Sequence, residues 1–310
     1  MQQRADVHAY LTRDQLRSLR ERSTWWGVGL IAHCWAVIAG AMALVAWAPN
    51  LLTVLLAVAV IGSRQLGLAV LMHEGAHGGL ARSGRFNLRL SQWLCAYPVL
   101  AETLAYRDYH LTHHRHTQGP GDPDLVLSAP FPTSRASLRR KVIRDLTGRT
   151  GLKQRRTQLA AAWGPPGLPP RERAARFGRA LGPQLGVNAA LFAGLAALGH
   201  WWLYPLLWVL PLLTWQQLVT RVRNIAEHAV LPAGDPWRIA RTTRAGPLAR
   251  AFFAPYFVNY HAEHHLLVHI PCYRLRRLHR LLMAGEVGPR LEVGPGYAAV
   301  LRAAAGKVAA

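Results

Sequence analysis

Cysteine and acidic side chains are the scarce components of this sequence. Its 310 residues include only three cysteines, Cys34, Cys95 and Cys272. None stands in a CxxC or zinc-type spacing. That excludes a disulfide framework, a thiolate zinc site and a cysteine-bound iron–sulfur cluster, and it suits a reducing compartment. No GxGxxG opens a helical stretch, so the dinucleotide fingerprint is missing too. Asp and Glu number 15 against 37 Lys and Arg, a formal net charge of +22. Such an excess attracts phosphate, and its placement decides which phosphate. Charge is absent from residues 25–48, and residues 51–72 contain only Arg64.

These uncharged runs set the fold class. A helix needs about 20 apolar residues to cross a hydrocarbon core of about 30 Å. A third uncharged block begins at residue 181 and reaches Arg221, long enough for a hairpin of two spans. Pro205 and Pro211 lie inside it, and Gly199-His200-Trp201-Trp202-Leu203-Tyr204-Pro205 reads as its interfacial turn, where Trp and Tyr prefer to sit. The expectation is an all-α integral membrane protein. Four transmembrane helices in two hairpins are expected, at about 25–48, 50–72, 181–199 and 203–220.

The cations give the orientation. Five arginines lie in the first 24 residues and thirteen Lys and Arg between Arg135 and Arg179, whereas the turns near 48–50 and 199–205 carry none. By the positive-inside rule both termini and the long central segment face the cytoplasm. Positive charge flanking spans also favours anionic lipid headgroups, so no nucleic-acid partner is expected. No cleavable signal peptide is expected, because the first apolar run is span-length and lacks a small-residue cleavage site.

Against this background, nine of the fifteen histidines fall into four compact sets. His73-Glu74-Gly75-Ala76-His77 is an i, i+4 pair. His110-Leu111-Thr112-His113-His114 and His261-Ala262-Glu263-His264-His265 are i, i+3, i+4 triplets. Asn224-Ile225-Ala226-Glu227-His228 places an amide and an imidazole four apart. Residues at these spacings share one helix face about 5–6 Å apart, so each set aims at one point. Neutral imidazole is the commonest ligand of borderline first-row metals. Nine imidazoles are too many for one ion and suit two, and iron is the expected metal. Scattered histidines such as His200 and His279 read as ordinary surface residues, and His116 and His269 as outer neighbours of the sets. All four sets fall on the side that the Arg/Lys distribution makes cytoplasmic, so the four transmembrane helices are expected to carry a helical cytoplasmic cap with a di-metal site.

The boxes and spans together resemble the membrane fatty-acid desaturase and hydroxylase superfamily. Its three boxes read HxxxH, HxxHH and HxxHH, and here they are HEGAH at 73–77, HLTHH at 110–114 and HAEHH at 261–265. The superfamily adds NxxxH after the last span, matched by Asn224 and His228, and an Asp-Pro-Asp after the second box, matched by Asp122-Pro123-Asp124. The resemblance runs from about residue 25 to 280. It implies a non-haem di-iron oxygenase that desaturates a lipid acyl chain with O2, or a hydroxylase or ketolase of a lipid or carotenoid built on the same centre. It implies His73, His77, His110, His113, His114, His228, His261, His264 and His265 as ligands of two iron ions, with Asn224 holding a metal-bound water. The HPGG pattern of a fused cytochrome b5 is missing, so electrons are expected from a separate donor: a ferredoxin, a cytochrome b5 or a reductase.

Removing hydrogen from an unactivated methylene is beyond any side chain, so a metal or cofactor has to carry it. Glu74, Glu227 and Glu263 sit beside ligands and are candidates for orienting them, or else solvated helix residues; Asp108, Asp122 and Asp124 are similar candidates. An intramembrane zinc protease could use His73, His77 and Glu74 but leaves both HxxHH sets unexplained. A transporter would place its site near the membrane midplane, where these sets do not lie.

The remaining expectations concern organisation. Residues 1–24 form an N-terminal segment whose stretch 5–22 reads as an amphipathic helix on the membrane surface. Residues 25–280 form the desaturase-like domain. Within it 91–104 is apolar but too short to span, Gly119-Pro120-Gly121-Asp122-Pro123-Asp124 is a sharp turn, and 163–170 (WGPPGLPP) is a linker. Residues 281–310 form a peripheral C-terminal tail. His33, inside the first span, is expected to make a packing hydrogen bond, and Arg64 to snorkel toward the headgroups.

Overall fold

The computed structural model describes residues 6–232 and 234–306. Residues 1–5 of the N-terminal segment and 307–310 of the tail lie outside them.

Helix α1 (Arg13–Arg20) starts from a capping box in which Thr12 and Gln15 satisfy each other's backbone N–H groups. Helix α2 (Thr24–Trp47) starts at the Ser23 cap and α3 (Leu51–Ala76) at an Asn50 capping box. Trp25, Trp26 and Trp47 are exposed at the two ends of α2. The 21 residue steps from Trp26 to Trp47 rise about 32 Å, matching two aromatic belts across a bilayer. The inner two-thirds of α3, from Ile61 to Ala76, is buried almost without a break, because it is the post around which the other elements pack.

After α4 (Gly84–Leu90), residues 91–99 run as a π-helical turn and a 3-10 turn that end at left-handed Leu100. Next come α5 (Thr103–His116), the short α6 (Leu125–Ser128), and α7 (Arg135–Leu146) followed by α8 (Arg149–Trp163), two helices rich in cations. The Pro/Gly linker separates α8 from α9 (Pro170–Ala197). Helices α2, α3 and α9 are long and apolar enough to cross a membrane.

The fourth expected span, 203–220, is not one straight helix. It is a π-helical stretch Tyr204–Val209, α10 (Leu210–Leu213), a break at Thr214, and the start of α11 (Trp215–His228). Pro205 and Pro211 cannot donate backbone N–H groups, so the regular i→i−4 ladder fails there. Polar side chains hold this segment in place. Asn188 of α9 accepts from the Tyr204 hydroxyl (2.9 Å) and from Trp208 Nε1 (3.0 Å), and Gln65 of α3 donates to the Trp208 carbonyl at 2.7 Å.

Beyond α11 the chain forms α12 (Pro247–Phe252), a turn at 255–257, α13 (His261–Leu266), α14 (Cys272–Ala284) and α15 (Tyr297–Ala304). The all-α expectation needs one addition: β1 (Thr242–Thr243) pairs in parallel with β2 (Val293–Gly294).

Three further expectations change. The described part of the N-terminal segment is not merely laid on a membrane: Val7, Leu11 and Leu19 are buried in one apolar cluster with Leu275, Leu278 and Leu282 of α14. The tail is not peripheral either, since β2 pairs with β1 and Tyr297, Val300 and Ala304 are buried in the main core. Arg64 does not snorkel. It is 6% exposed, donates to the Ala251 carbonyl and lies over the Tyr256 ring, because residues 247–257 fold back against α2 and α3. His33 makes the expected packing bond, its Nδ1 lying 3.2 Å from the Tyr256 hydroxyl.

Candidate metal centre

Four elements converge to bring the nine histidines together. The C-terminal end of α3 contributes His73 and, at its cap, His77; α5 contributes His110, His113 and His114, α11 contributes His228, and α13 contributes His261, His264 and His265. They divide into a set of five (His73, His77, His110, His114, His264) and a set of four (His113, His228, His261, His265). Within each set the ligand-capable atoms all lie within 4.8 Å of one another. His261 Nε2 stands 2.9 Å from His228 Nε2 and 3.1 Å from His265 Nε2. His114 Nε2 stands 2.9 Å from His110 Nε2 and 3.0 Å from His264 Nε2. Each triplet thus splits between the sets, because i and i+4 point at one focus and i+3 is rotated away.

The far nitrogens of several rings are held from behind. His113 Nδ1 lies 2.7 Å from the Asp122 carboxylate, which also accepts the N–H groups of Gln118 (2.9 Å) and Asp124 (2.8 Å). The sharp turn after the second box is therefore a cradle that presents one carboxylate to one ring. His228 Nδ1 lies 3.3 Å from the Ile239 carbonyl and His265 Nδ1 3.3 Å from Thr117 Oγ1. A ring that donates through Nδ1 leaves the Nε2 lone pair free for a metal.

Electrostatics keeps the donors in the form that binds metal. Burial drives His77 and His228 down to about 3, and, together with the neighbouring imidazoles, holds His110, His261, His264 and His265 well below the ordinary range. All of them are neutral at physiological pH. His73 Nε2 and His77 Nε2 are buried with no hydrogen-bond partner. Buried polar atoms are almost always satisfied, so two orphaned donors aimed at one focus fit a site built for a cation.

Residues 46–292 match the family model described as "Fatty acid desaturase". The chain belongs to that family. It is also similar to the dihydrorhizobitoxine desaturase of Bradyrhizobium elkanii, 28% identical over 255 residues that cover 79% of this chain and 69% of the relative. Family membership and the apolar helices make it a membrane oxidoreductase.

The other candidate residues of this family member separate by location. Asn224 lines a cavity of about 40 Å³ together with Tyr106, Glu227, His228 and His261; that is room for water. Glu227 forms an ion pair with Arg223 at 2.6 Å and approaches His261 Nε2 at 3.5 Å. Burial pushes its carboxyl up to about 7 against the pull of Arg223. Glu263 faces away from the donor atoms, receiving the Thr242 hydroxyl and lying 2.6 Å from His279 Nδ1. Glu74 accepts from the Cys272 N–H and thiol and packs on Gly79. Both fix the helices that bear ligands, and neither bonds a box imidazole among the described residues. Asp108 is exposed, as are His116 and His269.

Two contributors were not legible in sequence. His279, which reads as a surface histidine, clamps Glu263. Arg241 donates to the Ala226, Ala229 and Val230 carbonyls at 3.3, 3.0 and 2.8 Å, satisfying the orphan end of α11 beside His228. A cation soon after a helix C-terminus is a weak signal in a chain with 37 Lys and Arg.

Proposed function

We propose that this protein is a membrane-bound non-haem di-iron oxygenase that desaturates the acyl chain of a lipid, using O2 and electrons from a separate donor. The observation that carries the reading is the division of nine buried or half-buried imidazoles into two converging sets. Bound iron would supply the O2-dependent oxidation of an unactivated C–H bond, which no side chain performs. The five-histidine set would hold one iron and the four-histidine set the other. Asn224, beside the smaller set, would hold a water there by hydrogen bonding. Asp122 fixes the His113 ring and the Ile239 carbonyl fixes His228, while Glu227 places a carboxylate 3.5 Å from the converging Nε2 of His261. In this reading both termini and the histidine centre face the cytoplasm, where the cations lie, and the composite 204–220 segment completes a fourth crossing.

Hydroxylation or ketolation of a lipid or carotenoid would use the same centre. The relative's name, a desaturase, favours removal of hydrogen. Mass spectrometry of lipids from cells with and without the gene decides between them. Products lighter by one H2 are expected, products heavier by one oxygen atom would indicate hydroxylation, and an unchanged lipid profile would overturn both. Metal analysis of the purified chain should find iron in a pair; a single zinc would point to a hydrolase.

A further inference from the structure

A larger cavity lies away from the nine clustered histidines. It is about 600 Å³, lined by Leu30, His33 and Val37 of α2, Val60 and Arg64 of α3, and residues of the fold-back segment 247–259. Arg64 and His73 are nine residues apart on α3, about 14 Å along the axis and half a turn around it, so the cavity and the metal centre occupy opposite faces of that helix.

Its charge is one-sided. Two guanidinium groups, Arg64 and Arg250, line it and no Asp or Glu does. Among the described residues no carboxylate forms an ion pair with either arginine. Arg64 is nonetheless buried within a helix long and apolar enough to span a membrane. Its five N–H donors meet the Ala251 carbonyl and the Tyr256 hydroxyl, which leaves donors uncommitted. An unneutralised cation at that depth is costly and marks a functional position. The wall beside it is strained as well: Tyr256 and Phe257 sit at φ +54° and +65°, in a region that bulky side chains rarely adopt outside functional sites.

We propose that this cavity binds the carboxylate end of an amphiphile, with the carboxylate paired to Arg64 and the chain against Leu30, Val37 and Val60. A guanidinium fork matches a carboxylate in two parallel hydrogen bonds, and the pair neutralises the buried charge. His33 and Tyr256, already bonded to each other, provide polar contact beside it. A cavity of about 600 Å³ is in the ordinary range for a single small amphiphile. The site is independent of what the histidine centre oxidises.

The test uses the full-length protein in phosphatidylcholine nanodiscs, with radiolabelled decanoate and its methyl ester as probes. The wild type should bind the acid about tenfold or more tightly than the ester, the scale of one hydrogen bond to a charged group. Arg64→Gln should lower the acid to the ester's level. Equal binding of acid and ester by the wild type, or an undiminished preference in Arg64→Gln, would overturn the proposal. Should Arg64→Gln fail to fold, a diazirine-bearing decanoate on the wild type gives the answer. Adducts on α2 or residues 247–259 support the site, and adducts confined to α5 or α13 sink it. Displacement of decanoate by equal amounts of phosphatidylglycerol would assign the cavity to a lipid phosphate instead.

Discussion

At the residue scale, His113 and Asp122 separate a ligand from the group that holds it. His113 belongs to the four-histidine set, and Asp122 touches only its far nitrogen, 2.7 Å away. His113→Ala should abolish turnover and cut the iron content while leaving membrane insertion intact. Asp122→Asn should retain most of the iron and lose about 10–100-fold in activity, the usual effect of removing a ligand's hydrogen-bond partner. Metal analysis and turnover on the same preparations check both, and full activity in purified His113→Ala would remove the ligand assignment. Asn224 behaves like Asp122 in this scheme. An amide is a weak iron ligand, so Asn224→Ala should keep its iron but turn over poorly, whereas His228→Ala should lose iron. Wild-type turnover in Asn224→Ala would reduce that residue to packing.

At the element scale, close approach of backbones fixes where the ligand-bearing helices sit. Gly27 of α2 lies against the Leu80 carbonyl, in the loop that leaves His77, and a Cβ there would fall on backbone that has no side-chain freedom to yield. Gly27→Ala should therefore destabilise the protein by about 1–3 kcal/mol. Gly29 and Gly40 of the same helix have open space at the Cβ position, and their Ala variants should melt like the wild type or slightly higher. A differential thermal scan compares the three; equal melting would mean that the loop moves freely. The histidine spacing made the helices at 73–77 and 110–114 legible, because i, i+4 ligands require a helix. The composite 204–220 segment was less legible. Its apolar composition reads as a span, while its prolines and the buried Asn188 decide its path through contacts with α9 and α3.

At the scale of the whole molecule, the orientation rests on the cations alone. Reporter fusions at residue 24, the 48–50 turn, residue 150, the 200–204 turn and the C-terminus should read in, out, in, out, in. An external signal at residue 150 would overturn both the topology and the cytoplasmic placement of the centre.

The sequence by itself determined the membrane character, through uncharged runs of spanning length, and the nine histidines, through spacings that only a helix makes convergent. Both are local properties, fixed by composition and by a period of 3.6 residues. Tertiary structure decided how the nine divide into five and four, that Asp122 rather than Asp108 holds a ring, and that Glu263 and Glu74 brace helices instead of imidazoles. It also turned Arg64 inward, toward a cavity that residues 247–259 close from far along the chain. These outcomes depend on which faces of separate helices meet. Burial then determines which polar groups find a partner and which are left facing a cavity.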